Sequence, residues 1–295
     1  MRLLADPGLV SSALQVAVLA LAVWLTAVWL AGAVYVAVSY PFSQAHVPAR
    51  STGELLRAVL TECWCVLWTQ PLLPLFQVLG FRLGSGGGRV PVVLVHGYFQ
   101  NRVDFIYLVA RLRAAGVGPM YAVNFFWPQK LERSSAAVRR MIAKVCAETG
   151  AEAVDIVTHS AGGLFALDVL SDSPELVRRA VLIAVPAGGV PWRGPLLGPS
   201  GSQLRADSGY TRSRGRVVES SAVLSVYSAH DNVVHPVETS RLEGPAVRNL
   251  EIDGPGHLAI LFDRRVADAA ADFLTAETTG LEYPEPDLPG EPTRP

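Results

Sequence analysis

The stretch Val154-Asp155-Ile156-Val157-Thr158-His159-Ser160-Ala161-Gly162-Gly163 decides how this chain is read. A mostly apolar run rich in β-branched residues, which suit a strand, stops at Thr158-His159. A serine follows, and Ala161-Gly162-Gly163 leads into the helix-like run at residues 164–170. The expected local structure is strand, sharp turn, helix, with Ser160 at the apex. So tight a turn needs small residues two places before and two places after the serine, the pattern G-x-S-x-G, and it exposes the hydroxyl as a nucleophile. Gly162 meets the second requirement. Thr158 stands where glycine is usual. The competing reading is a serine N-cap that opens an ordinary helix. The pentapeptide alone leaves both open, so its surroundings must decide.

Upstream lies Val90-Pro91-Val92-Val93-Leu94-Val95-His96-Gly97-Tyr98. An uninterrupted apolar run fits a strand buried on both faces of a parallel sheet. Gly97 lets the backbone turn sharply where the run ends, and a helix is expected over residues 103–114. Residues 121–126 read as a strand. Residues 131–149 read as a helix with Ala136, Val138, Met141, Ile142 and Val145 available for an apolar face, closed by Gly150. Beyond the serine, strands are expected at 180–185, 222–227 and 247–252, and a last helix at 265–274. The alternation of strand and helix implies an α/β fold with a mostly parallel sheet. It puts Ser160 at the carboxyl end of a central strand, where such sheets bind ligands. Residues 190–216, rich in Gly, Pro, Ser and Arg, read as a long insertion without regular structure. It either borders a substrate cleft or is a surface loop.

Two further groups fall at strand ends. Asp231 follows the strand at 222–227, and His257 sits on the Gly-rich turn Asp253-Gly254-Pro255-Gly256-His257. Ser160, Asp231 and His257 thus occur in the order serine, acid, histidine. His257 would take the serine proton and return it to the leaving alcohol, while Asp231 would fix the tautomer and stabilise the imidazolium. Ester hydrolysis builds negative charge on the carbonyl oxygen, so donors must already face it. The candidates are the N–H of Ala161, at the helix start, and the N–H of Tyr98, after the early strand. His159 is read as structural, and His230 and His235 lie too close to Asp231 in sequence to complete the set. Asp253 is the rival acid, although its place just before His257 suits a turn. Cys63, Cys65 and Cys146 are odd in number and lack zinc-like spacing. They read as buried or membrane-facing thiols, and no cofactor or metal is expected.

The 295 residues carry a net charge of −1, with 50% hydrophobic and only 17% charged residues. The mean hydropathy is +0.31 and the pI about 6.6. That balance gives no electrostatic reason to expect nucleic acid. Soluble domains carry about a quarter charged residues, so part of this chain belongs in an apolar place. Residues 9–40 contain no charge and 13–38 are almost wholly apolar, long enough to span a bilayer, which takes roughly 20 residues. A secretory signal has a shorter apolar core behind a more positive leader, and here Arg2 is alone. An uncleaved anchor is expected, with Trp24, Trp29, Tyr35 and Tyr40 within it or toward an interface. A second uncharged run, 63–81, is broken by Pro71 and Pro74. It is expected to be interfacial, with a re-entrant segment or a helix covering the catalytic domain as alternatives. Arg50 and Arg57 against Arg2 favour a cytoplasmic catalytic domain, and the prediction inverts if the second run also crosses. The expected domains are a transmembrane anchor at 1–45, an interfacial segment and Gly-rich linker at 46–88, a catalytic domain at 89–280, and a disordered Pro- and acid-rich tail at 281–295.

Residues 90–274 resemble secreted bacterial triacylglycerol lipases and related esterases of the α/β-hydrolase fold. The resemblance is carried by Val95-His96-Gly97-Tyr98, Thr158-His159-Ser160-Ala161-Gly162-Gly163, Tyr227-Ser228-Ala229-His230-Asp231-Asn232-Val233-Val234 and Gly254-Pro255-Gly256-His257-Leu258. It implies cofactor-free serine hydrolysis of carboxylic esters, with oxyanion donors at Tyr98 and Ala161. It says little about which ester. The N-terminal anchor departs from the secreted members and implies a relative tethered to the bacterial inner membrane by a single pass. The expected function is a membrane-anchored serine esterase or lipase acting on apolar acyl esters beside the lipid bilayer. The alternatives are a thioesterase or acyltransferase on the same acyl-serine, and a membrane-tethered binding protein without turnover, which Thr158 keeps open. Oligomeric state is not legible.

Overall fold

In the α/β pattern the serine strand must have strands on both sides, and the computed structural model places it so. It describes residues 7–77, 82–84, 87–125, 128–194, 196, 198–213, 218–219 and 221–276. Arg2 and the tail expected at 281–295 lie outside them. The strands are β1 (Arg82–Gly84), β2 (Val92–Val95), β3 (Met120–Ala122), β4 (Val154–His159), β5 (Val177–Ile183), β6 (Ala222–Ser228) and β7 (Val247–Ile252). They form one sheet in the order β1-β3-β2-β4-β5-β6-β7. β1 is antiparallel to β3, and all the other pairs are parallel. One row of the register runs Val93, Ile156, Ala180, Val223, Val247.

Every residue of β2 and β4 is buried, because helices cover both faces. On one face, Val93, Val95 and Ile156 pack with Val138, Ile142 and Val145 of α4 (Leu131–Thr149) and Leu164 of α5 (Ala161–Asp172). On the other, Val92, Leu94 and Val157 pack with Leu108 and Leu112 of α3 (Ile106–Ala114) and Val266 and Ala270 of α8 (Arg264–Thr275). Each buried Val, Leu or Ile among these contributes roughly 1.5–3 kcal/mol, so this three-layer stack holds the strand ends fixed. Gly150 ends α4 at φ 71°, in the left-handed region that favours glycine.

Several boundaries differ from the sequence expectation, each for a local reason. β3 stops at Ala122 rather than continuing to 126. After Val123 donates to Leu94 O the chain leaves the sheet, and Phe125 stacks on His96; Phe126 lies outside the described residues. β5 begins at Val177, before the expected 180, although Arg178 and Arg179 make its start look like a loop. Arg178 forms a two-point pair with Asp155, and Arg179 donates to the carbonyls of Phe273 and Leu274 at the end of α8. The Gly-rich linker hides β1, which pairs with β3, so the sheet begins before residue 89. The segment expected to be irregular carries α6 (Gly198–Gln203) and α7 (Gly209–Arg212), with a bridge between Val190 and Arg205. Residues 195, 197 and 214–216 of it lie outside the described residues.

At the N-terminal side, α1 (Pro7–Ser43) and α2 (Thr52–Thr69) form an antiparallel hairpin. Residues Leu14–Ser43 are long and apolar enough to cross a membrane, with a mean hydropathy of 2.2. Ser51 caps α2 reciprocally with Glu54, a box that satisfies two orphan N–H groups. Gly32 lets the helices approach, since a Cβ there would collide with Val66. The indoles of Trp24 and Trp29 donate to Pro71 O and Leu67 O. At Pro71 and Pro74 the α-helix has given way to a 3-10 turn, Gln70–Gln77. One face of α2 carries Leu56, Leu60, Trp64 and Leu67, all exposed, while Cys65 and Val66 pack into the core beneath the sheet. Part of the segment expected to be interfacial thus packs against the sheet domain, the arrangement given above as its alternative.

Candidate active site

β4 delivers Ser160 to a turn at φ 53° and ψ −130°, a strained conformation for a residue with a side chain. Neighbours hold it there: Ser160 N donates to Ile183 O and Gly163 N to Ser160 O. The glycines around it are required by close approach. A Cβ on Gly162 would collide with the carbonyl of Val95, and one on Gly97 would lie 2.7 Å from Ser160 Cβ. The loop after β2 thus lies directly against the serine. Thr158 fits because the residue it faces is also glycine: a Cβ on Gly163 would be 3.3 Å from Thr158 Oγ1. That hydroxyl is buried with no hydrogen-bond partner among the described residues, and an unsatisfied buried hydroxyl costs about 1–3 kcal/mol. Thr158→Val is therefore expected to raise Tm by several degrees with the fold unchanged. A Tm at or below that of the unaltered protein in a thermal melt would contradict this.

His257, on the turn after β7, brings Nε2 to 2.9 Å from Ser160 Oγ and Nδ1 to 2.8 Å from Asp231 Oδ2. The other oxygen of Asp231 accepts the N–H groups of Val233 (2.7 Å) and Val234 (2.8 Å). Asp231 is 1% exposed, Ser160 7% and His257 9%. Burial by itself would lower the His257 imidazole. The charge and hydrogen bond of Asp231, with the charge of Glu62, outweigh it and hold the ring above its ordinary range. A serine hydroxyl bonded to an imidazole that is bonded in turn to a buried carboxylate can pass a proton from oxygen to nitrogen.

The remaining histidines serve the scaffold. His159 Nδ1 lies 2.7 Å from Gln100 Oε1 and Nε2 lies 2.8 Å from His257 O, and burial holds its ring well below the usual range. His96 is lowered to about 4 by burial. In that neutral form Nδ1–H donates to Gly97 O, and Nε2 accepts the Phe125 N–H. His230 Nδ1 accepts the Gly254 N–H. His235 stacks on His46 beside Phe42. Asp253 has an 83% exposed side chain, 3.8 Å from His230 rather than at His257.

Ala161 is the first residue of α5, so its N–H has no acceptor within the helix and lies next to Ser160. Tyr98 follows Gly97, whose Cα faces Ser160, and a Cβ on Gly201 of α6 would be 3.2 Å from the Tyr98 hydroxyl. The insertion thus lies beside the loop that carries Tyr98, and its Trp192 meets Phe42 of α1 edge-on at 5.1 Å. Two residues not foreseen from sequence complete the site. Gln100 Oε1 accepts the Gly97 N–H while also meeting His159. Asn232 Oδ1 accepts the His257 N–H at 2.8 Å, and its amide donates to Tyr35 and Ser39 of α1. Neither offers a sequence signal, since a polar residue after a strand is common.

The mostly parallel sheet, the strained serine turn and the order of the three polar groups are those of the α/β-hydrolase fold. A model of the alpha/beta hydrolase fold family matches residues 90–199. The chain is similar to a triacylglycerol lipase of Burkholderia plantarii, 28% identical over 42% of this chain and 40% of that one. It is similar to another from Pseudarthrobacter phenanthrenivorans, 31% identical over 34% of each chain. It therefore spans well under half the length of these curated relatives. The structure of Aspergillus fumigatus lipase B shares the fold, with a TM-score of 0.59 at 19% identity over 64% of this chain and 53% of that one.

Proposed function

We propose that this protein is a membrane-anchored serine hydrolase that cleaves carboxylic esters, of lipid or acyl type, through an acyl-serine intermediate. The observation that carries the reading is the continuous line from Ser160 Oγ through His257 to Asp231. In the proposed reaction His257 Nε2 takes the hydroxyl proton as Oγ attacks the ester carbonyl. The N–H groups of Ala161 and Tyr98 receive the oxyanion, and the imidazolium returns its proton to the departing alcohol. Water then repeats the steps on the acyl-serine. The similarity to triacylglycerol lipases supports an ester substrate.

Retention of α1 as an anchor is supported by its contacts. Tyr35 and Ser39 bond to Asn232, and Phe42 packs on Trp192 and His235, so cleavage as a signal peptide would strip the site of partners. The exposed apolar face of α2 beside α1 supports a site held at the lipid surface, which favours apolar acyl esters. A fluorophosphonate probe followed by peptide mass spectrometry tests the nucleophile: label on Ser160 is expected, and label elsewhere or none would refute the reading. pH supplies a second test. His257 must be neutral to accept the proton, and its environment holds it above 6.5. As pH falls, kcat/KM is expected to drop with an apparent pKa above that value. An acid limb centred below the ordinary imidazole value would count against His257 as the base.

A further inference from the structure

Glu62 is fully buried on α2, far in sequence from the three proposed catalytic groups. Its Oε1 accepts the N–H of Leu258 and its Oε2 the N–H of Ala259, each at 2.9 Å, and the Tyr35 hydroxyl donates to Oε1 at 2.7 Å. The preceding N–H, of His257 itself, goes to Asn232, and Asn232 donates to the same Tyr35 hydroxyl at 2.9 Å. Three consecutive backbone donors at 257–259 are thus held by two side chains that Tyr35 links. Gly256 is pressed against the same groups: a Cβ there would lie 2.6 Å from Glu62 Oε2 and 2.7 Å from Asn232 Oδ1.

We infer that Glu62 is a positioning residue for His257, and that through it the membrane-side hairpin α1–α2 sets the geometry of the catalytic imidazole. The inference rests on the serine-hydrolase reading above. The chemistry of the cradle requires a carboxylate. Three donors converge on Glu62, and an ionised carboxylate accepts all of them with charge assistance. Glutamine would turn its NH2 toward one of the backbone N–H groups. A buried carboxylate is costly unless so bonded: burial holds this one above its ordinary value, and the Leu258, Tyr35 and Ala259 donors and the His257 charge offset only part of that rise. The charges and titratable groups facing His257 are Asp231, His159, His235 and Glu62. Glu62 is the one among them that arrives from the N-terminal hairpin, and its negative charge favours the imidazolium.

The test uses the full chain in phosphatidylcholine nanodiscs with a short p-nitrophenyl ester, comparing the unaltered protein with Glu62→Gln, Tyr35→Phe and Ser160→Ala. A misplacement near 1 Å costs about a hundredfold. Glu62→Gln is therefore expected to lose at least about 30-fold in kcat with KM within twofold, and to move the acid limb of kcat/KM to lower pH. Tyr35→Phe, which leaves the carboxylate in place, is expected to lose several-fold in kcat with the acid limb little changed. A residue that only braced the fold would lower Tm without moving the pH profile. If Glu62→Gln does not fold, Tyr35→Phe decides: a kcat loss at constant KM supports the inference, and unchanged kcat overturns it. Ser160-dependent turnover that neither variant alters would sink this inference alone. Absence of Ser160-dependent turnover in the unaltered protein would sink the hydrolase reading and this inference with it.

Discussion

Ser160→Ala is expected to lower kcat for ester hydrolysis on the order of a million-fold, the loss seen when a nucleophile is removed from a working triad. The substitution deletes one oxygen, 2.9 Å from His257 Nε2, and leaves the Cβ that packs over Gly97. The turn at φ 53° strains alanine as it strains serine, so Tm should change little and the loss can be assigned to chemistry. Steady-state hydrolysis of a p-nitrophenyl ester, with a thermal melt of the same sample, checks both. Retention of more than about 1% of the original kcat by a folded variant would remove Ser160 from the reaction.

The second large effect is expected at Asp231→Asn, about 10⁴-fold in kcat, and the structure says which way the amide must turn. Oδ1 accepts two backbone N–H groups, from Val233 and Val234. An NH2 group there would face two donors, so the amide oxygen stays on that side and the NH2 replaces Oδ2. It then points at His257 Nδ1, which must become an acceptor. The ring proton moves to Nε2, the atom that has to receive the proton of Ser160. The variant is expected to fold and to react very slowly with fluorophosphonate. Asp253→Asn, at an exposed carboxylate, should remain within twofold of the unaltered protein. If the two variants exchange these outcomes, the acid has been misassigned.

What could be read from the chain alone was the part encoded locally. Helix α4 and strand β7 have the bounds that their patterns imply. Ser160, Asp231 and His257 each follow a segment that reads as a strand, and a parallel sheet gathers such ends at one edge. Missed features have a different origin. The start of β5 is hidden by Arg178 and Arg179, whose charges are answered by Asp155 and the end of α8. β1 is hidden by glycines on the far side of the linker. Thr158 looked like a defect because its tolerance depends on the space left by Gly163. Glu62 carries no sequence signal, because its donors are the Tyr35 hydroxyl and two backbone N–H groups at the other end of the chain.

That separation has a consequence for how the protein matures. The bonds from Glu62 to Leu258 and Ala259 close loops of 196 and 197 residues. At roughly 5–20 residues per second of synthesis, the hairpin leaves the ribosome about 10–40 s before the segment it must grip. Until His257 has been made and set in place, Ser160 has no imidazole beside it. On the reading proposed above, the nascent chain passes its lipid neighbours chemically silent, and hydrolytic competence arrives only with the last strand.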